Sequence, residues 1–270
     1  MKLFNLIIRL TCILFTLSLF TACSDDDEAA PKINTQGLVK IKEGYALGAA
    51  TKVEIYTQES PFVGFNKFFI ALFDSASENV SQEAEIELMP MMQMSQMSHS
   101  APFVNPVFHQ ETHLYAGAVV FIMPSGEMGK WTLGLKVKNK GKTGMTSFHM
   151  EVEEPETERV YSFMNGEEKI FVSLVSPDAP ETGVNDFAVA IHKRVGMMDF
   201  PAVTDYQVKI TPEMPTMGHG SPNNVHPVHM ENGIYQGKVN FTMTGLWRIH
   251  ITLEKGEEVI NDEKYFDIEF

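Results

Sequence analysis

Trp247, Ile249, Ile251 and Leu253 alternate with Arg248, His250, Thr252 and Glu254, and Trp131, Leu133, Leu135 and Val137 alternate with Thr132, Gly134, Lys136 and Lys138. A period of two sends successive side chains to opposite faces, the mark of strands with one buried and one wet face. Short runs of this kind, bounded by Gly, Pro and Asn, recur along the chain, and no stretch carries a convincing amphipathic helix. The pattern predicts an all-β protein in which Trp131 and Trp247 lie on the inward phase, as core residues.

The pattern also repeats. Gly64-Phe65-Asn66-Lys67-Phe68-Phe69-Ile70-Ala71-Leu72 matches Gly183-Val184-Asn185-Asp186-Phe187-Ala188-Val189-Ala190-Ile191, 119 residues on. Met94-x-x-Met97-x-His99 matches Met214-x-x-Met217-x-His219 at 120, and Tyr115-Ala116-Gly117 matches Tyr235-Gln236-Gly237 at 120. Gly129-Lys130-Trp131 matches Gly245-Leu246-Trp247 at 116, the first copy carrying the extra Pro124-Ser125-Gly126-Glu127. Four anchors in one order indicate a duplicated domain. Each copy is expected to be an Ig-like antiparallel β-sandwich of about seven strands, the first over 38–153 and the second over 169–270, joined by a charged linker at 154–168.

The beginning of the chain has a different character. Lys2 and Arg9 precede and open an apolar run to Phe20, and Leu19-Phe20-Thr21-Ala22-Cys23 resembles a bacterial lipobox. Residues 1–22 are therefore expected to be a signal peptide, Cys23 to carry lipid, and 23–37, opening with Ser24-Asp25-Asp26-Asp27-Glu28, to be an acidic tether. The implied location is the outer membrane, facing the cell surface, with its periplasmic face as the alternative. Without Lys2 and Arg9 the formal charge moves from −14 to −16, which disfavours nucleic acid as a partner. Both cysteines, Cys12 and Cys23, fall before the folded body, which thus has no disulfide and no thiolate. Each copy must rely on its hydrophobic core, which ~110 residues can supply.

Candidate chemistry is concentrated in two stretches. Met89 to His113 and Met214 to Met230 hold six of the nine histidines and eight of the seventeen methionines. Methionine clusters are usually adaptable packing. Between Met89 and Pro102, however, the intervening residues are Pro, Gln, Ser, His and Ala, and Pro90 and Pro215 argue against a regular central strand there. A thioether is soft and neutral and favours Cu(I) over hard cations, while imidazole also admits Cu(II) or Zn²⁺. The candidate ligands are Met94, Met97, His99 and His109 in the first copy, and Met214, Met217, His219, His226 and His229 in the second. Copper is the expected metal, with silver or zinc behind it. The first copy is richer in thioether and suited to Cu(I) or Ag(I). The second is richer in imidazole and more tolerant of Cu(II) or Zn²⁺. His149, His192 and His250 stand alone in strand-like stretches and are expected to be ordinary surface residues. No hydrolase elbow, zincin helix or phosphate-binding glycine loop is present, so the chain does not read as an enzyme.

Gly183, Asn185, Met214-Pro215, Met217, His219, Gly233, Tyr235, Gly237, Gly245 and Trp247 carry a resemblance to YtkA-like and FixH-like domains, small extracytoplasmic β-sandwich modules. The first copy follows the same pattern with departures. Ser95 stands where the second copy has Pro215, unless Met89-Pro90 is the true counterpart. The resemblance implies tandem extracytoplasmic domains, and its FixH branch implies copper delivery. Two functions follow as expectations. One is copper capture or hand-off to a copper-accepting or copper-efflux protein. The other is a non-catalytic Ig-like structural or adhesion module that binds no metal.

Overall fold

The computed structural model describes residues 32–270; the expected signal peptide, Cys23 and most of the acidic tether lie outside the described residues. Nine strands come first: β1 (Val39–Ala46), β2 (Thr51–Thr57), β3 (Gly64–Asp74), β4 (Glu85–Gln93), β5 (Ser98–His99), β6 (Phe103–His109), β7 (Leu114–Phe121), β8 (Lys130–Asn139) and β9 (Lys142–Met150). They form two antiparallel sheets, ordered β1-β2-β3-β7-β6 and β5-β4-β8-β9. The next nine are β10 (Val160–Asn165), β11 (Glu168–Ser176), β12 (Gly183–Arg194), β13 (Gln207–Met214), β14 (His219–Gly220), β15 (Val225–Glu231), β16 (Ile234–Phe241), β17 (Leu246–Lys255) and β18 (Glu258–Glu269). Their sheets, β10-β11-β12-β16-β15 and β14-β13-β17-β18, repeat the first topology strand for strand. The protein is an all-β sandwich, with nine strands per repeat where about seven were expected.

Each pair of sheets encloses its own core. Trp131, Leu133, Leu135 and Val137 of β8, and Trp247, Ile249, Ile251 and Leu253 of β17, are fully buried in the two clusters. The strand alternation therefore placed the inner face correctly. Burying one such aliphatic or aromatic side chain contributes roughly 1.5–3 kcal/mol.

Two boundaries differ from expectation. β10 lies inside the expected linker and pairs with β11, so the connection shortens to residues 151–159. Part of it is tied down, since Val63 N–H donates to the Glu153 carbonyl (2.9 Å) and Glu153 N–H to that of Pro61 (2.9 Å). At the other end, Asn34 N–H donates to the Thr112 carbonyl (2.8 Å) and Ile33 packs on Tyr56, Ala71 and Leu114. The last residues of the expected tether thus dock on the first sandwich.

A third, smaller apolar cluster joins the sandwiches. Phe65, Ala118 and Val120, on the outer face of β3 and β7, pack with Ala190 of β12, with Val160 and Ile234 at the margin. Lys67 Nζ reaches Asp178 Oδ2 at 2.8 Å across the same junction.

Candidate functional site

Most of the repeated anchors have a structural task, visible twice. Asn66 accepts from Phe62 N–H (2.9 Å) and donates to the Phe62 and Gly64 carbonyls; Asn185 does the same with Glu181 and Gly183. The Tyr115 hydroxyl donates to the Ser81 carbonyl (3.0 Å) and accepts from Ala84 N–H (2.8 Å), and Tyr235 repeats this with Val203 and Tyr206. A Cβ on Gly117 would meet the Val104 carbonyl oxygen at 2.8 Å, and one on Gly237 the Val225 carbonyl oxygen at 2.3 Å, so these glycines let β6 and β15 close in. Trp131 Nε1–H donates to the Met123 carbonyl (2.8 Å) and Trp247 Nε1–H to that of Met243 (2.9 Å).

The Met/His motif divides into a packing part and an exposed part. β4 runs on through Met89, Pro90 and Met91 to Gln93, so this run is strand and not loop. Pro90 is tolerated because β5 pairs only with Met92 and Gln93, which leaves the outer edge of β4 at Pro90 without a strand partner. Met92 lies opposite His99 on one side and Trp131 on the other. Met214 lies opposite His219, one residue beyond the Glu213–Arg248 pair, next to Trp247. Register therefore makes Met92, and neither Met94 nor Met89, the counterpart of Met214. Both are buried, and both sit on the glycine of the Gly-x-Trp motif. A Cβ on Gly129 would fall 2.6 Å from Met92 Sδ, and one on Gly245 3.1 Å from Met214 Cε. These two thioethers fill core, as methionine commonly does.

The remaining residues are at the hairpin tips. The first tip is Met94-Ser95-Gln96-Met97, closed by Met94 N–H to the Met97 carbonyl at 3.0 Å. The second is Pro215-Thr216-Met217-Gly218, closed by Gly218 N–H to the Met214 carbonyl at 2.9 Å. Met97 is 52% exposed and Met217 57%, while Met94 is half-buried against the core edge. His99 meets Trp131 edge-on, with ring centroids 5.5 Å apart, and His219 meets Trp247 likewise at 6.0 Å.

His99 is further constrained. Its Nδ1 lies 2.7 Å from the Ser100 carbonyl oxygen. A carbonyl can only accept, so the proton is assigned to Nδ1 and the lone pair of the neutral ring is at Nε2. A histidine whose second nitrogen is held by a carbonyl is the arrangement typical of metal ligands.

Three expected ligands lie elsewhere. His226 Nδ1 accepts Ile210 N–H at 3.1 Å, the task that Asn105 Oδ1 performs for Leu88 N–H at 2.9 Å in the first sandwich. Its other nitrogen must then carry the proton, so the neutral ring has no spare lone pair. His229 packs edge-on against Tyr235 at 5.2 Å, where the first sandwich has Phe108 against Tyr115. His109 pairs with Leu114 in the β6–β7 hairpin. Adjacent Tyr115 reaches Ser81, and Ser81 bonds Asn139 at the far end of β8 from Trp131. His109 and His229 are therefore at the opposite pole from the Met/His tips. Among the described residues no three His, Cys, Asp or Glu side chains converge as a metal-holding group. The imidazole-rich second site expected for Cu(II) or Zn²⁺ is not assembled.

The lone histidines also divide. His250 bonds Glu213 at 2.9 Å on the surface, whereas His192 is 3% exposed, and burial pulls its pKa down to about 4. Sequence reading missed this because alternation in β12 breaks down where its outer face is also covered.

No curated protein matches this chain. Among solved structures, an FdeC adhesin from Escherichia coli is 10% identical, with 85% of this chain and 65% of that one covered and a TM-score of 0.28. This chain thus spans just under two thirds of that adhesin structure. A chimeric titin Z1Z2 tandem is 10% identical over 77% of this chain and 91% of that one, at a TM-score of 0.20. A conserved domain protein from Bacillus anthracis is 11% identical over 91% and 90%, at 0.29. The family comparison is confined to the second sandwich: residues 164–252 match the YtkA-like family.

Proposed function

We propose that this protein is a non-catalytic envelope module that binds Cu(I) on the β4–β5 hairpin through Met97 and His99, with Met94 beside them. The observation that carries the reading is the hydrogen bond from His99 Nδ1–H to the Ser100 carbonyl, which leaves Nε2 as the donor two residues after the exposed Met97. Soft donors without thiolate suit Cu(I) or Ag(I) in an oxidising compartment. The β13–β14 hairpin offers the thinner pair Met217 and His219. The shared topology supports a YtkA-like reading of the first sandwich as well. Cys23 would anchor the chain by lipid to the outer membrane, at the surface or on its periplasmic face. Copper capture, or hand-off to a copper-accepting or efflux protein, would be the role.

A second reading has its own support. Asn66, Tyr115, Gly117, Met92 and Trp131 all have structural tasks. A passive Ig-like spacer or adhesion module would need those anchors and nothing more. Competition titration of the full chain against a Cu(I) chelator separates the two. The copper reading expects one tightly held equivalent, lost in Met97→Ala/His99→Ala and kept in Met217→Ala/His219→Ala. Affinity equal to that of a free Met-x-x-Met-x-His peptide, unchanged by either double variant, would leave the spacer.

A further inference from the structure

The second sandwich reaches the first hairpin through a backbone hydrogen bond. Ser100 N–H donates to the Met197 carbonyl at 2.8 Å, across the two sandwiches. Met197 and Met198 sit on the turn after β12, a turn closed by Val195 N–H to the Asp199 carbonyl at 3.1 Å. These residues are 39% and 50% exposed, although a methionine normally gains by burial. Ser100 is thus committed on both sides, its N–H to Met197 and its carbonyl to the His99 ring. The turn after β3 in the first sandwich reads Ser75-Ala76-Ser77-Glu78, so the Met-Met pair is not an inherited feature of the duplication.

We propose that Met197 and Met198 complete the soft-metal site of the first hairpin, making it a junction site shared between the sandwiches. This rests on the Cu(I) reading above and assigns its missing donors. Met97 and His99 alone would leave Cu(I) with two ligands, or three with Met94. A thioether side chain has three rotatable bonds and can swing to a common ion from a neighbouring turn. Metal binding would then also fasten the junction, because donors from both sandwiches must stay together while the ion is bound. In the second hairpin Gly220 follows His219, and among the described residues no backbone hydrogen bond ties it to the first sandwich.

The test compares wild type, Met197→Leu/Met198→Leu and the control Met164→Leu, an exposed methionine on β10. Leucine keeps size and apolarity, so folding is retained while the sulfur is lost. Chelator competition should show Cu(I) held more weakly in the double variant by more than the roughly 10- to 100-fold that losing a partner behind a ligand costs. Added Cu(I) should also slow proteolysis within residues 151–159 in wild type and in Met164→Leu, but not in the double variant. Unchanged affinity in the double variant, with binding lost in Met97→Ala/His99→Ala, would overturn the junction site and leave the hairpin site standing. No tight Cu(I) binding in wild type would overturn both.

Discussion

The two Met/His hairpins share a spacing but not a geometry. In the first, the strands pair one step further, through Gln93 and Ser98, so Met94 is carried past the sheet to the tip. In the second, pairing stops at Met214 and His219, so the first methionine of the motif is a core residue. The same letters at the same interval therefore give up to three donors in one hairpin and two in the other. The fold needs the methionine on the Gly-x-Trp glycine and the histidine against the tryptophan edge. What it leaves unexplained is the exposed thioether two residues before each histidine, and that residue supplies the soft donor of the chemical reading.

The sandwiches differ at two further equivalent positions, and each difference can be tested. The largest effect concerns His192, which stands where the first sandwich has Phe73, each bridged to the turn that follows its strand. Burial holds the folded pKa at about 4 against an ordinary 6.5. Above pH ~6.5 the ring is neutral in both states and the contribution is complete. As pH falls toward 4 the unfolded chain takes up a proton that the folded one refuses, and stability drops by on the order of 3 kcal/mol. His192→Phe, the first sandwich's own residue, should flatten urea midpoints between pH 7 and 4. A pH dependence identical to wild type would show that this ring is not the titrating group.

A smaller effect is expected where Asn105 and His226 each accept a strand N–H. Asn105→Ala and His226→Ala should each cost about 1–3 kcal/mol, the penalty for an orphaned backbone donor. Neither should alter Cu(I) affinity. Weakened metal binding in stable His226→Ala would return that ring to the ligand set.

How much was legible follows from these residues. Alternation revealed the strands and both tryptophans, because a half-buried strand writes its burial directly into the sequence. The duplication was legible from its anchors, though the tasks of Asn66, Tyr115 and Gly117 were not, since each depends on a partner distant in sequence. Strand β4 was misread as loop because Pro90 argues against a central strand, and the unpaired edge that tolerates it is a tertiary fact. His109 and His229 looked like ligands because sequence proximity does not reveal to which pole of a sandwich a strand carries its ends, and His226 because its bond to Ile210 N–H is a tertiary fact. Met197 and Met198 drew no notice, as two adjacent methionines signal nothing until another element meets their backbone.

The most direct test uses the two tryptophans, each beside one candidate histidine. In Trp247→Phe only Trp131 remains, 5.5 Å from the His99 ring. Titrating Cu(I) into this variant should quench its fluorescence with saturation at one equivalent, and His99→Ala in the same background should abolish the change. Quenching that persists without His99, or no change up to several equivalents, would contradict a copper site on the first hairpin.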